Sequence, residues 1–499
     1  MPNSSVNNVL PGSTDVLIVG AAPVGLALAC ALRSLGVETV VIDRLSEPLV
    51  HTRAAAMQAR TLESLATIGV DQELIARGKP TPTLTVRDGK HRLWTTPYAQ
   101  LDTPYPYILV VPQPTTEAVL AERFAEMGGT VFRDHTLVNM WDQYPGMVAT
   151  VASKSGELRA IEARYVIGCD GMHSTVRQRM GIAWEGTERP QSFALTEVVM
   201  DWHGPDEGIV FFFSPEGLLV VAPLTGENRY RIVALESDST PPQDLAGIQR
   251  LLETRGPADA GAVVHTIERT SKWRVGLRLA ETFGETGPVF LAGDAAHVYS
   301  PVGGQGMNTG IQDSINLAWK LAAVIDGSAS PKLLETYTAE RRPVADGLVT
   351  MTAQMTDISS ILHPERLALR NHIFAAVGGL PEFPSWWARR LAQLEVDYGG
   401  GDPEGPQPTV GHRMPPRHGM AQGLAWSLMV PPDADVVAVK EATGQIKTPI
   451  TVGTADLPHA VLVRPDGYVA MTAPAEDAAS LPGRLPGWLQ DPRAAQRQK

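Results

Sequence analysis

The chain has 499 residues, and its 42 Lys and Arg against 54 Asp and Glu give a net charge of −12. That acidic balance argues against a broad nucleic-acid-binding surface, which needs a surplus of basic residues. The length corresponds to about three lobes of a globular protein. The two cysteines, Cys30 and Cys169, are too few for a disulfide framework or a cysteine metal site. We therefore expect a reduced, cytoplasmic protein with no metal.

An uncharged run of 17 residues, from 16 to 32, has the shortest length that spans a bilayer. Gly20, Pro23 and Gly25 interrupt the run, and the residues before it lack the basic and apolar regions of a signal peptide. We therefore expect a buried strand that turns into a buried helix, and no contact with a membrane.

The first predicted elements form a βαβ unit, with a strand at residues 15–19, a helix at 23–35 and a strand at 38–43. The turn GAAPVG follows the G-x-G-x-x-G pattern except that Ala22 replaces the middle glycine. Small residues there let a pyrophosphate approach the helix N-terminus. Asp43 ends the second strand 23 residues after Gly20, where an acidic side chain would hold ribose hydroxyls. The pattern favours a dinucleotide site over a merely structural turn.

A different pattern covers residues 84–108 and 193–236, where short strands alternate with Pro and Gly turns and predict an antiparallel sheet. A buried strand returns at 289–292, so two compact parts are interleaved in the sequence. A Gly/Pro-rich linker at 399–406 precedes a tail of roughly 90 residues. We predict strands in this tail at 436–439 and 460–463.

The second candidate constellation is GDAAHVYSPVGGQGMN, from Gly293 to Asn308. It places a carboxylate, Asp294, just past a buried strand, and a glycine-rich loop at the start of a helix that runs to about Ile325. Closely spaced glycines let a planar ligand approach the backbone, and a helix N-terminus attracts an anion. A third strand ends in the sequence Cys-Asp-Gly at Asp170.

The three motifs GAAPVG, CDGMHSTVR and GDAAHVYSPVGGQGMNTG resemble those of the class A FAD-dependent monooxygenases, the aromatic hydroxylases similar to para-hydroxybenzoate and phenol hydroxylases. The tail resembles the thioredoxin-like C-terminal domain of bacterial polyketide and antibiotic hydroxylases. No cysteine follows Cys169, so thiol chemistry in the tail is excluded.

The resemblance implies an α/β fold in which a Rossmann-like FAD-binding domain is interleaved with a mostly antiparallel-sheet substrate domain. The implied FAD-binding domain comprises residues 1–83, 109–185 and 275–398. The substrate domain comprises 84–108 and 186–274, and the thioredoxin-like α/β domain comprises 409–499.

The resemblance also implies the site residues. Arg53, which would contact FAD and the nicotinamide or substrate, and Pro301, beside the reacting carbon of the isoalloxazine, are the expected catalytic residues. The glycine loop would present N–H groups to the N1–C2=O edge of the ring. The expected FAD-binding residues are Gly20, Ala22, Pro23, Val24, Gly25, Asp43, Arg44, Arg53, Gln113, Val138, Asp170, Asp294, Pro301, Gly304, Gln305, Gly306, Met307 and Asn308.

The implied reaction is hydroxylation of an aromatic, bulky or polycyclic substrate through a flavin C4a-hydroperoxide, with NAD(P)H and O2 as co-substrates. The motifs do not separate this reaction from Baeyer–Villiger oxidation or epoxidation, and a non-catalytic FAD-binding scaffold is a further alternative. A homodimer is the default expectation for the assembly.

Three groups of residues have open roles. His297 and Tyr299 are candidates for a general base, although a structural histidine is the preferred interpretation. Strand alternation allows at most two of the three phenylalanines at 211–213 to face a substrate. Arg341 and Arg342 are interpreted as a solvated helix face or an anchor for the C-terminal part.

Overall fold

The computed structural model describes residues 9–48, 54–89, 91–204, 208–236, 244–257, 260–285, 287–401, 407–446 and 448–485. Within these ranges the strands, in chain order, are β1 (Ser13–Val19), β2 (Thr39–Ile42), β3 (Ala56–Met57), β4 (Lys79–Thr81), β5 (Thr83–Asp88), β6 (His91–Pro97), β7 (Ile108–Val110), β8 (Val131–Phe132), β9 (His135–Gln143), β10 (Gly146–Ser153), β11 (Leu158–Gly168), β12 (Trp184–Asp201), β13 (Ile209–Ser214), β14 (Gly217–Pro223), β15 (Arg229–Glu236), β16 (Val263–Ala280), β17 (Val289–Leu291), β18 (His297–Val298), β19 (Trp426–Val430), β20 (Ile450–Thr454), β21 (Ala460–Val463) and β22 (Val469–Ala473). The α-helices are α1 (Pro23–Ser34), α2 (Ala59–Ala66), α3 (Asp71–Arg77), α4 (Gln113–Glu126), α5 (Thr175–Arg179), α6 (Leu245–Arg255), α7 (Gly306–Ile325), α8 (Lys332–Ser359), α9 (Pro364–Gly378), α10 (Phe383–Leu391) and α11 (Val436–Gly444).

The first sheet has the strand order β8-β2-β1-β11-β10-β9, with β17 paired to β11. Strands β8, β2, β1, β11 and β17 run parallel, so their carboxyl ends meet at one edge of the sheet. The uncharged run of the sequence forms the end of β1 and then α1, whose apolar residues are buried against this sheet. The predicted βαβ unit is therefore confirmed.

The second sheet has the order β18-β16-β12-β15-β14-β13-β5-β6 and is antiparallel except for the pair β13 and β5. One of its faces packs with α6 around a small apolar cluster that includes Phe212 and Leu219. The opposite face carries Phe211 and Phe213 and packs against the main core of the molecule. The predicted antiparallel strands are confirmed, and alternation separates Phe212 from its two neighbours.

The tail forms a four-stranded sheet in the order β20-β19-β21-β22, in which β19 and β20 are parallel and the other pairs are antiparallel. The prediction of a strand at Ala460–Val463 is confirmed. The prediction of a strand at 436–439 is wrong, because these residues begin helix α11. The carboxylate of Asp435 accepts hydrogen bonds from the backbone N–H groups of Val437 and Ala438, and this N-cap outweighs the β-propensity of the valines.

Buried ion pairs join the tail to the helices beside the first sheet. Arg413 donates from Nε to Oε2 of Glu63 in α2 at 2.7 Å, and both side chains are buried. Arg464 forms a two-pronged pair with Glu340 of α8, at 2.7 and 2.8 Å, and Lys320 of α7 joins the same carboxylate at 2.8 Å. These contacts make the tail part of the core packing.

Among the helices that the structure describes, none is long and apolar enough to cross a membrane.

Candidate FAD site

The glycine turn after β1 is shaped by the protein's own backbone. Gly20 has a φ of +109°, and a Cβ atom there would lie 2.3 Å from the carbonyl oxygen of Cys169. A Cβ on Gly25 would lie 2.0 Å from the carbonyl oxygen of Gly20. Ala22, by contrast, has an ordinary extended conformation as the N-cap of α1. The two outer glycines are therefore required by packing, and alanine at position 22 introduces no backbone strain.

Asp43 lies directly after β2 and beside this turn. Its Oδ2 atom accepts a hydrogen bond from the backbone N–H of Ala21 at 2.7 Å, and its Oδ1 atom accepts one from Leu45 at 2.8 Å. Arg44 is exposed next to it. The structure thus brings the predicted ribose-binding acid within one hydrogen bond of the predicted pyrophosphate turn.

Asp170 follows β11 at the same edge of the sheet. Its Oδ2 atom accepts hydrogen bonds from the backbone N–H groups of Thr175 at 2.6 Å and Val176 at 3.3 Å. Its Oδ1 atom is buried without a hydrogen-bond partner. Burial raises the pKa of this carboxyl group, and its hydrogen bonds oppose the shift. The unpaired oxygen is suited to accept a hydrogen bond from a ligand hydroxyl.

The loop after β17 packs tightly onto α1. A Cβ atom on Gly293 would lie 2.8 Å from the Val24 side chain, and one on Gly310 would lie 2.6 Å from it. Ser314 of α7 also donates a hydrogen bond to the carbonyl oxygen of Val24 at 2.8 Å. Asp294 is exposed just after this contact. Val24 therefore holds the first glycine turn against the second constellation.

The second glycine loop leads directly into α7. Gly303 and Gly304 have φ values of +89° and +64°, which only glycine adopts without strain. Helix α7 begins at Gly306 with Gln305 as its N-cap residue and without a side-chain cap, and α1 also lacks a side-chain cap. Two long helices therefore present first-turn N–H groups at the same edge of the sheet, an arrangement suited to anionic ligand groups.

Asn308 has a structural role that the sequence did not indicate. Its fully buried side chain donates to the carbonyl oxygens of Ala56 at 2.8 Å and Gly304 at 2.6 Å, and accepts from the backbone N–H of Gln58 at 2.8 Å. Asn308 thus joins the glycine loop to β3. Gln305 is also buried, and its Nε2 atom donates to the carbonyl oxygen of Gly303 at 2.8 Å.

The remaining predicted residues occupy varied positions. Gln113 begins α4 and donates from its backbone N–H to the carbonyl oxygen of Ala54 at 3.2 Å. Val138 is exposed on β9, where the strand has a β-bulge. Three residues earlier on the same strand, the backbone N–H of His135 donates a hydrogen bond to the carbonyl oxygen of Asp43. Arg53 lies outside the described residues. Pro23 is buried at the start of α1, and Pro301 and Met307 are half-buried in the second glycine loop and in the first turn of α7.

The structure also reveals a buried charge cluster behind the second glycine loop. Asp313 of α7 accepts hydrogen bonds from His297 at 2.5 Å, from Arg341 Nε at 2.7 Å and from the Gly293 N–H at 3.2 Å. The side chains of Asp313, His297 and Arg341 are all fully buried, and His297 stacks on Tyr299 at 4.9 Å. The geometry fits the structural interpretation of His297.

The interpretation of Arg341 as part of a solvated face is wrong, because Asp313 and Thr309 enclose it in the core. Its bond to the Tyr398 hydroxyl, at 3.1 Å, agrees with the alternative of an anchor for the C-terminal part. Asp313 was not singled out from the sequence. Its only signal is an acidic residue within a largely apolar helix that also carries Gln312 and Asn316, a pattern that does not identify the partner.

These features fit FAD. The glycine turn between β1 and α1, together with the N-terminus of α1 that lacks a side-chain cap, suits a pyrophosphate. Asp43 suits a ribose, and the unpaired Oδ1 atom of Asp170 suits a ligand hydroxyl. The uncapped α7 and the positive-φ glycines suit the polar edge of a flat ring. Among the described residues, no cluster of metal-binding side chains is found.

Comparisons with known proteins agree with this assignment. A family model for the FAD binding domain matches residues 13–352. The 12-dehydrotetracycline 5-monooxygenase/anhydrotetracycline 6-monooxygenase of Streptomyces rimosus is 32% identical, over 96% of this chain and 99% of that protein. Pentachlorophenol 4-monooxygenase of Sphingobium chlorophenolicum is 35% identical, over 69% of this chain and 64% of that protein.

A solved structure of a related hydroxylase has the same fold. The anhydrotetracycline hydroxylase OxyS from Streptomyces rimosus superposes with a TM-score of 0.76 and 29% identity, over 96% of this chain and 99% of that one. The similarity thus extends over the tail as well as the two interleaved sheets.

Proposed function

This chain belongs to the family of FAD-binding aromatic monooxygenases, and on that premise we propose that it hydroxylates a bulky or polycyclic aromatic substrate with NAD(P)H and O2 as co-substrates. The observation that carries the proposal is the convergence of the two uncapped helices, α1 and α7, at the carboxyl edge of the parallel sheet. The contact of Val24 with Gly293 and Gly310 fixes these helix ends relative to each other.

The proposed cofactor contacts follow from this arrangement. Residues 20–25 and the N-terminus of α1 bind the pyrophosphate, and Asp43 binds the adenosine ribose with Arg44 beside it. Backbone groups of Val138 bind the adenine. Hydroxyl groups of the ribityl chain lie near Gln113 and Asp294, and Asp170 supports the phosphate region.

Pro301 and residues 304–308 would hold the isoalloxazine. Bound FAD would supply the redox chemistry there, in which two electrons come from NAD(P)H and one oxygen atom of O2 is transferred to the substrate ring. The N-terminal N–H groups of α7 stabilise negative charge at the N1–C2=O edge. Arg53 is proposed to contact FAD and either the nicotinamide or the substrate.

The inner face of the second sheet is proposed to bind the substrate. Phe211 and Phe213 lie on this face, which packs against the core rather than against α6. The relatives named for tetracycline intermediates and for pentachlorophenol support an aromatic substrate with hydroxyl groups. The sheet also excludes water, which protects an activated oxygen from being lost as hydrogen peroxide.

We further propose the division into an FAD-binding domain (1–83, 109–185, 275–398), a substrate domain (84–108, 186–274) and a thioredoxin-like tail (409–499). The order β20-β19-β21-β22, with β21 antiparallel to β19, supports the assignment of the tail. We separately propose that the protein is a homodimer. Size-exclusion chromatography with light scattering tests this by measuring the molar mass in solution.

The proposed function is tested by supplying the purified flavoprotein with NADPH or NADH, isotopically labelled dioxygen and a panel of phenols, naphthols and hydroxyanthraquinones. We expect one labelled oxygen atom in a ring-hydroxylated product. Label in an ester or an epoxide would instead assign Baeyer–Villiger oxidation or epoxidation, and reduction of oxygen to hydrogen peroxide alone with every compound would contradict the proposal.

A further inference from the structure

The inner side of helix α9 carries two polar residues, Arg370 and Asn371, between apolar neighbours. Both are buried, with 5% of each residue exposed. Leu367 and Phe374, one turn away on either side, are also turned inward. The polar pair therefore lies within the packed interior of the protein.

Each of these side chains has a hydrogen-bond donor without an acceptor. Arg370 donates a hydrogen bond from Nε to the Oδ1 atom of Asn371 at 3.0 Å. Its Nη1 atom donates to the carbonyl oxygens of Ile358 and Ile361, both at 3.2 Å. The Nη2 atom of Arg370 and the Nδ2 atom of Asn371 are buried and have no partner. Buried donors without acceptors are costly, so an oxygen of a ligand that reached these two neighbouring donors would be stabilised by both.

The charge of Arg370 is also uncompensated. No carboxylate of the described chain lies within ion-pair distance of its guanidinium, a situation that Arg177 shares, whereas five other buried arginines, at positions 60, 231, 341, 413 and 464, each have one. Burial lowers the pKa of Arg370 to about 10, and only the more distant Asp88 opposes the shift. An isolated buried cation is expensive, and an anionic ligand would offset that cost.

One aromatic ring lies against this cation, and two more pack behind that ring. The Arg370 guanidinium lies 4.6 Å from the ring centre of Phe213, which is on the inner face of the second sheet. Phe213 meets Phe374 edge to face at 5.5 Å, and Phe374 meets Trp94 of β6 at 5.1 Å. The surroundings suit a flat aromatic ligand that carries an oxygen.

Helix α8 connects this polar pair to the glycine loop. Arg370 donates a hydrogen bond to the carbonyl oxygen of Ile358 near the carboxyl end of α8, and two residues earlier Thr356 donates one to Ser300 at 2.5 Å. A Cβ atom on Gly303 would lie 3.6 Å from the Cε atom of Met355. The last turns of α8 therefore contact both Arg370 and the loop that is proposed to hold the isoalloxazine.

We propose that Arg370 and Asn371 bind an ionised oxygen of the substrate, a phenolate or an enolate, and thereby select acidic hydroxyaromatic compounds. This inference rests on the proposed function, because it assigns a role in recognising the substrate of that site. The guanidinium stabilises the anionic form of the ring, which is the form that reacts faster with an electrophilic oxygen. The amide of Asn371 adds the second hydrogen bond.

A purely structural role for Arg370, as a cap for the end of α8, makes a different prediction. In that case a negative charge at position 371 would pair with Arg370 and leave ligand binding unchanged. If the guanidinium serves an anionic ligand, Asn371→Asp places a competing carboxylate in the site. The two roles are therefore separated by one nearly isosteric substitution.

The test uses the oxidised FAD-bound protein, without nicotinamide, and two ligands: 1,2-dihydroxyanthraquinone, whose colour reports its ionisation, and 1,2-dimethoxyanthraquinone, which cannot ionise. In the wild type we expect the bound dihydroxy compound to ionise at a lower pH than in water. Asn371→Asp should weaken its binding by about tenfold to a hundredfold, the value of a charge-assisted hydrogen bond, and remove the colour shift. Binding of the dimethoxy compound should not change.

Arg366→Gln is the matched control, because Arg366 is exposed on the same helix. Arg370→Lys is the second variant. It keeps the positive charge but not the planar guanidinium with its paired N–H donors, so the affinity for the dihydroxy compound should fall to an intermediate value. Bound FAD, measured by absorbance, verifies that each variant is folded. Equal losses for both ligands, an unchanged colour shift in Asn371→Asp, or a wild type that binds neither ligand would overturn the inference. Since no turnover is measured, a protein that binds and ionises the ligand but never oxygenates it would contradict only the proposed function.

Discussion

The guanidinium of Arg341 donates from Nε to the Oδ1 atom of Asp313 across 2.7 Å, and neither side chain is exposed to solvent. The other oxygen of Asp313 accepts from His297 and from the N–H of Gly293, which begins the loop that carries Asp294. One carboxylate therefore connects helices α7 and α8 with the proposed ribityl-binding loop. This connection leads to the first prediction.

Asp313→Asn should destabilise the protein by about 3–5 kcal/mol, because it leaves Arg341 buried without a counter-ion. FAD should also be released at a lower temperature, since Gly293 loses its anchor. The measurement is urea unfolding together with the temperature at which flavin fluorescence rises. The control is Asp357→Asn, which breaks a half-exposed pair with Arg189 and should change stability by no more than about 1 kcal/mol. Equal effects of the two substitutions would contradict the account.

Acid should weaken the fold through the same groups. Burial alone would raise the pKa of Asp313, but His297 and Arg341 outweigh it and hold the pKa below its usual value. Lys320 and Arg464 likewise outweigh burial at Glu340 and lower its pKa. A carboxyl group with a lowered folded-state pKa adds stability above its unfolded-state pKa, which is about 4. That stability is lost as the pH falls through the folded-state value.

We therefore expect the urea midpoint of the wild type to fall steadily as the pH is lowered from about 5. The decline should be shallower in Glu340→Gln, whose stability at neutral pH is already reduced. The same slope in both proteins would show that other groups govern the acid transition.

Gly310→Ala tests the contact between α1 and α7. The new Cβ atom would lie 2.6 Å from the Val24 side chain and 2.9 Å from the Cα atom of Gly293. Overpacking of this kind costs about 1–3 kcal/mol and should move the two glycine turns apart, so FAD affinity should fall. In the control, Gly347→Ala of α8, nothing lies within 4 Å of the added atom, and helix propensity should stabilise the protein by about 1 kcal/mol. FAD affinity is measured by fluorescence titration of the apoprotein, and an unchanged affinity in Gly310→Ala would contradict the prediction.

Ala22→Gly should be tolerated. The residue is the extended N-cap of α1, and its methyl group is predicted to face the phosphates. Removal of the methyl group should leave FAD affinity unchanged or raise it, whereas Gly25→Ala should abolish binding because its Cβ would lie 2.0 Å from the Gly20 carbonyl oxygen. The same titration measures both variants. A strong loss of affinity in Ala22→Gly would show that the methyl group makes a needed contact.

The tail should not behave as a detachable module. Arg413→Met leaves the buried Glu63 with one ion pair, to Arg60, and a hydrogen bond from Thr103, and should cost about 3 kcal/mol. A chain truncated after residue 401 should unfold at a markedly lower temperature or fail to retain FAD. Calorimetry of the truncated chain measures this, and a melting temperature equal to that of the full chain would show that the tail is independent.

Local sequence signals predicted the elements whose structure depends on near neighbours. The βαβ unit, the strand β17 and the helix α7 follow from apolar periodicity and glycine position, and the structure confirms them. The predicted strand at 436–439 failed because one N-cap residue, Asp435, decided the local structure. Propensity is weak evidence when capping opposes it.

The contacts missed from the sequence are those between distant segments. Asp313 and Arg341 are 28 residues apart, and Arg413 meets Glu63 across 350 residues. Nothing in the local pattern around Arg341 or Arg370 distinguishes a buried arginine from a solvated one. Such partners are fixed only when the sheets and helices pack.

The central claim, that this chain is an FAD-dependent monooxygenase which takes electrons from a nicotinamide, is tested most directly by anaerobic titration of the yellow protein with NADPH and NADH. The account predicts that one of them bleaches the flavin absorbance, faster in the presence of a hydroxyaromatic compound, and that air restores the colour with formation of an oxygenated product. Bound flavin that neither nicotinamide reduces, with any compound of the panel, would contradict it and favour a non-catalytic FAD-binding scaffold.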